Sequence, residues 1–188
     1  MGTMILIRRA ETTDAGGIAH VHVESWRSTY AGIVPQDYLD NLNEWERAEM
    51  WRELLQRNDE VFVAERDGEI LGFAAGGACR DRIEDCDAEL YAIYLLKDAQ
   101  KARIGSDLVR ELSRSLTASG FSSMHVWVLE KNPSKAFYLR MGAHYAASKQ
   151  IEIAGAAFVE EAYVWPDLKA LGAIESASAA AAGIRLGE

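Results

Sequence analysis

Apolar positions along the chain recur with two different periods, and the change of period divides it into elements. Met4-Ile5-Leu6-Ile7-Arg8-Arg9 is short and β-rich, so it predicts a first strand. Thr12, Thr13 and Asp14 offer N-cap chemistry, and Ala19, Val23, Trp26 and Tyr30 then recur at helical spacing to about Ala31. Pro35 interrupts. Leu39, Leu42, Trp45, Met50, Trp51 and Leu54 predict one further helix over residues 36–56.

The period then shortens. Residues 61–66 and 69–75 predict two strands joined at Asp67-Gly68, a two-residue hairpin signal because such turns need φ > 0. A charged stretch from Arg80 to Asp87 predicts a loop. Residues 89–96 are almost wholly apolar, as in a central strand covered on both faces. Ile104, Leu108, Leu112 and Leu116 step by four and predict a helix, and residues 124–129 another strand. Asn132-Pro133 opens a short helix over 134–141 that Gly142 closes, and two strands follow near 145–153 and 158–165. This order implies an α/β fold: a mixed sheet with helices on both faces, in a single domain over residues 4–166. Residues 167–188 are expected to form an alanine-rich C-terminal tail.

Composition narrows the partners. The chain has 188 residues, with 29 acidic against 20 basic side chains and a net charge of −9. That balance argues against nucleic acid and anionic membranes as main partners and leaves cationic substrates open. No apolar run approaches the roughly 18 residues that span a bilayer, so a cytoplasmic protein is expected. Cys79 and Cys86 read as free thiols, although an oxidising compartment would let them pair. The histidine spacing matches no metal motif, and no metal is expected.

The richest segment runs from the apolar strand into the following helix: Leu96-Lys97-Asp98-Ala99-Gln100-Lys101-Ala102-Arg103-Ile104-Gly105-Ser106. A helix start there exposes unpaired N–H groups at the positive end of the dipole, which suits a phosphate. An ordinary strand-to-helix connection would look similar. The segment is neither a P-loop nor a dinucleotide fingerprint.

Leu90-Tyr91-Ala92-Ile93-Tyr94-Leu95 followed by Gln100-x-x-Arg103-x-Gly105-Ser106 resembles the acetyl-CoA signature of the GNAT superfamily of N-acetyltransferases, Gln/Arg-x-x-Gly-x-Gly/Ala. Val128-Leu129-x-x-Asn132-Pro133-x-x-x-Phe137-Tyr138-x-x-x-Gly142-Ala143 is similar to that family's Asn…Phe-Tyr…Gly-Phe element, and the order of elements fits over residues 4–165. Arg103 departs from the pattern by standing where the family has its first glycine, and arginine is costly if that position needs φ > 0.

The resemblance implies a mostly antiparallel twisted sheet of about six to seven strands, splayed between its two central strands, with acetyl-CoA as cosubstrate. It implies that the backbones of Ile93 and Leu95 pair with the pantetheine arm. The segment Gln100, Lys101, Ala102, Arg103, Ile104, Gly105 and Ser106 would hold the pyrophosphate, and Asn132 would contact the cofactor or simply cap its helix. Tyr138 would protonate the leaving thiolate, and the Leu95 N–H would meet the oxyanion.

Glu89 is the first candidate for general base, because strand alternation puts it on the face of Tyr91 and Ile93 unless a bulge intervenes; Glu24 is the second. Glu24, Trp26 and Tyr30 are candidates for the acceptor pocket, with Tyr38 and Trp45 beside them, although aromatics at helical spacing also build cores. The expected function is acetyl transfer to a primary amine of a small molecule or peptide by direct attack. A CoA-binding sensor without turnover is the alternative. Dimerisation is common in the family, and the sequence itself does not show it.

Overall fold

The computed structural model describes residues 4–57, 59–100 and 103–173. Seven strands form one sheet: β1 (Leu6–Arg9), β2 (Glu60–Arg66), β3 (Glu69–Ala78), β4 (Ala88–Leu95), β5 (Met124–Leu129), β6 (His144–Ile153) and β7 (Ala156–Trp165), in the spatial order β1-β2-β3-β4-β5-β7-β6. All neighbouring pairs are antiparallel except β4 and β5. The predicted β2–β3 hairpin turns at Asp67 and Gly68 with φ of 54° and 84°, the left-handed geometry its Asp-Gly pair suits.

Helices cover both faces. On one side α1 (Ala15–Thr29) buries Ile18 and Val21 against Val61, Val63 and Phe73. The segment predicted as one helix over 36–56 is two, α2 (Gln36–Asp40) and α3 (Glu44–Leu54). The break has a local cause: Asn43 lies in extended backbone, and its side-chain oxygen accepts from the Trp45 and Glu46 N–H groups at 2.9 and 3.3 Å, which starts a new helix. Trp45 is 71% exposed, so it belongs neither to the core nor to a pocket.

On the other face α4 (Ile104–Ala118) buries the predicted stripe of Ile104, Leu108, Leu112 and Leu116. The short α5 (Lys135–Arg140) follows β5. A further helix, α6 (Leu168–Ala173), moves the edge of the domain beyond residue 166. It buries Leu168 and Leu171, and the Ser113 hydroxyl donates to the Leu168 carbonyl at 2.7 Å. The start of the expected tail is therefore part of the core, and the remainder, 174–188, lies outside the described residues.

Two irregularities of β4 shape the site. Its ladder with β5 pairs Ala88 with Met124, Glu89 with His125 and Leu90 with Val126, and stops there. Residues 91–95 and 127–129 then run apart, which is the splay that the family resemblance implies. The second irregularity is a bulge. Ala75 of β3 faces Ala92 but Gly76 faces Leu90, so Tyr91 is the extra residue. The glycines of β3 permit this: a Cβ on Gly77 would stand 2.7 Å from the Tyr91 hydroxyl.

Candidate active site

The splay opens a cavity of about 830 Å³ between the end of β4, the start of α4 and the β5–α5 connection. The Leu96 N–H donates to the Leu71 carbonyl of β3 at 2.9 Å. Alternation therefore turns the N–H and C=O groups of Ile93 and Leu95 away from β3 and into the gap. An extended amide chain laid there would meet a strand edge with free donors and acceptors. The Ser25 hydroxyl of α1 reaches one of these groups, donating to the Leu95 carbonyl at 3.0 Å.

At the far end of the cavity stand Gln100, Arg103, Gly105 and Ser106. Lys101 and Ala102 lie outside the described residues, and Ile104 points into the core. Arg103 adopts φ +64° and ψ −4°, so the position where the signature has glycine does require left-handed backbone, and here an arginine takes it. A Cβ on Gly105 would meet the Leu95 and Phe137 side chains at 3.5 Å, an ordinary contact.

Lys97, Arg110 and Arg140, which sequence reasoning missed, also line this cavity. Arg110 follows Ser106 by one helical turn on the same face, and that i, i+4 repeat is the signal that could have found it. Its Nη1 donates to Asp107 at 3.2 Å, while its Nε is buried with no partner among the described residues. A buried guanidinium N–H without an acceptor, beside a helix start, fits a phosphate-bearing ligand.

Asn132 is buried at the wall, with both ends of its side chain engaged. Its oxygen accepts from the Ser134 N–H at 2.8 Å, and its amide nitrogen donates to the Tyr30 hydroxyl at 3.0 Å. Tyr138 is 5% exposed and packs against Trp165, yet it lines the cavity. Burial, and then Tyr30, push its phenol up, so the group stays protonated at neutral pH.

A second chamber of about 480 Å³ adjoins the first, and Tyr30, Tyr91, Tyr94, Trp127 and Val128 line both. Here Glu89 requires a correction. The bulge at Tyr91 reverses the alternation, so Leu90, Ile93 and Leu95 share the α4 side whereas Glu89 shares the α1 side with Tyr94. Glu89 consequently lines the second chamber. Arg80 grips both carboxylate oxygens: its Nη2 donates to Oε1, and its backbone N–H and Nε donate to Oε2 at 3.0 and 3.1 Å.

Trp26 lines this chamber as well, and Tyr30 lines both cavities. Glu24 lines neither and pairs with Arg27 at 3.1 Å. Cys79 and Cys86 are free thiols that burial pushes up, Cys86 to about 11, which disfavours either as an acyl carrier.

A strand edge with free amides, a cationic helix start and a buried phenol where the strands part are the groups that an acyl thioester of coenzyme A would need. The chain is similar to known acetyltransferases. Residues 21–143 match the model of the acetyltransferase (GNAT) family. The chain is 43% identical over 169 residues to the uncharacterized N-acetyltransferase YuaI of Bacillus subtilis, covering 89% of this chain and 96% of that protein. It is 28% identical over 148 residues to a spermidine N(1)-acetyltransferase of Thermoplasma acidophilum, covering 73% and 87% of the two chains. The solved structure of the PaiA N-acetyltransferase from Thermoplasma acidophilum in complex with coenzyme A superposes with a TM-score of 0.63 at 25% identity, over 84% of this chain and 98% of that one. The chain belongs to the GNAT family of N-acetyltransferases. It is an acetyl-CoA-dependent acyltransferase, and acetyl-CoA is its cosubstrate.

Proposed function

We propose that the protein acetylates the primary amine of a small molecule by direct attack within a ternary complex, with acetyl-CoA in the larger cavity and the amine entering through the smaller chamber. The observation that carries this reading is the shared wall: Tyr30, Tyr94 and Trp127 border both spaces, so ligands in the two would meet where β4 and β5 part. The relative named as a spermidine N(1)-acetyltransferase supports an amine of this kind.

In this reading Glu89 accepts the proton that the acceptor ammonium must lose, Arg80 holding its carboxylate in place. The free amine nitrogen attacks the thioester carbonyl carbon. The developing oxyanion faces the Leu95 N–H. The C–S bond then breaks and the thiolate takes the Tyr138 proton, while the attacking nitrogen gives up its second proton as the amide forms and so restores the phenol, directly or through solvent. Trp26 and Tyr30 line the acceptor's path.

Thiol release from acetyl-CoA, followed with a panel of monoamines, diamines, spermidine and a peptide, tests the proposal. Transfer to at least one small amine is expected. Tight acetyl-CoA binding with no transfer to any amine would instead favour the sensor reading.

A further inference from the structure

Glu160 lies on β7, opposite Leu129 of β5 on one side and Lys149 of β6 on the other, and it lines the smaller chamber. The chamber's other charges are paired. Arg80 holds Glu89, and Lys149 meets Asp81 at 2.7 Å while its ammonium sits 4.1 Å from the centre of the Trp127 ring. Three carboxylates thus face two cations, and Glu160 is the one with no hydrogen-bond or ion-pair partner among the described residues. Burial pushes its carboxyl up, with Lys149 opposing and Glu89 adding to the effect. A half-buried carboxylate left unpaired is costly, and the missing partner is a cation. Trp26, Tyr30 and Tyr94 line the same chamber, and aromatic rings of this kind also favour cations.

We infer that Glu160 holds a second, non-reacting ammonium of the acceptor, so that the preferred acceptors are linear diamines and longer dications of that type. The inference rests on the amine-acetyltransferase reading and specifies its substrate class. The reacting nitrogen must become neutral to attack. The distal one stays charged at neutral pH and needs a fixed counter-charge within the chamber. An acceptor whose tail is a carboxylate would meet Glu160 as a like charge and bind poorly.

The test uses the full chain loaded with coenzyme A and titrated with 1,5-diaminopentane, n-pentylamine and 5-aminopentanoate, with binding followed by calorimetry. The diamine is expected to bind about tenfold or more tightly than the monoamine, and the amino acid most weakly. Glu160→Gln should bring the diamine-to-monoamine ratio close to one, while Glu160→Asp keeps part of the preference. Equal affinities in the unaltered protein, or a ratio that Glu160→Gln leaves unchanged, would overturn the assignment. Acetyl transfer is measured separately and reports on the parent reading. A diamine preference without transfer removes that reading and keeps the Glu160 site. Transfer to all three probes with equal KM removes the Glu160 site and keeps the reading.

Discussion

The Asn132 amide donates to the Tyr30 hydroxyl at 3.0 Å, joining two buried residues 102 positions apart in the wall of the cleft. One side chain thereby ties α1 to the β5–α5 connection while its oxygen starts the helix that carries Tyr138. Asn132→Ala should cost about 2–3 kcal/mol, since it removes the side-chain bond to the Ser134 N–H that turns the chain into α5 and leaves Tyr30 unpaired. Tyr30→Phe should cost about 1 kcal/mol, and a double-mutant cycle by urea unfolding should return a coupling near 1 kcal/mol. Strictly additive losses would mean that the bond contributes nothing.

Arg103 has φ +64°, where a residue with a Cβ is disfavoured by roughly 1–2 kcal/mol. Glycine removes that cost and adds back part of it as unfolded-chain entropy, so Arg103→Gly should stabilise the fold by about 0.5–1 kcal/mol. If the guanidinium also grips phosphate, the same variant should bind coenzyme A less tightly, and more visibly at low salt. Arg110→Gln should weaken binding too, because its Nε has no protein partner to lose. A melting curve and a calorimetric titration separate the two effects. A less stable Arg103→Gly protein contradicts the backbone argument, and unchanged affinities in both variants remove the two arginines from the site.

His22 predicts a pH response. The Trp51 Nε1–H donates to its Nδ1 at 3.1 Å, and its ring stacks on Tyr94 with centroids 5.2 Å apart. Burial, with Arg47 adding, lowers the imidazole from 6.5 to about 4. The folded chain therefore binds fewer protons than the unfolded one between those values, and stability rises with pH across that window. The contribution is fully present above about pH 6.5 and is lost as pH falls towards 4, on the order of 3 kcal/mol. His22→Gln keeps an acceptor for Trp51 without titrating. Its unfolding free energy should fall less steeply than the unaltered protein's between pH 7 and pH 4.5. Parallel slopes would exclude His22.

What could be read before the structure was what lies in one stretch of chain. The Asp67-Gly68 turn, the α4 stripe and the phosphate-side segment are each specified by neighbouring residues. The α2–α3 break was hidden because Leu39, Leu42 and Trp45 continue an apolar rhythm that Asn43 overrides by capping. The face of Glu89 depends on Gly76 and Gly77 of another strand accepting the Tyr91 bulge, so alternation within β4 alone gives the wrong side. The smaller chamber is assembled from α1, the β3–β4 connection, β4, β5, β6 and β7, and no local pattern joins Glu160 to Trp26.

Tyr138 and Glu89 should fail in different ways. The phenol is buried and held in its protonated form, so it can donate to a thiolate but is not a strong acid. A thiolate also leaves reasonably well unaided. Tyr138→Phe should therefore lower kcat by roughly 10²-fold, the low end of general-acid effects, with little change in KM for either substrate. In the proposed mechanism Glu89→Gln removes the proton acceptor and the partner of Arg80, so it should lower kcat and change the pH–rate profile, whereas Tyr138→Phe should leave the acidic limb in place. Steady-state rates measured from pH 6 to pH 10 distinguish them. A Glu89→Gln enzyme with an unaltered profile would move the proton-accepting role to another group. A Tyr138→Phe enzyme at full speed would make the phenol part of the wall.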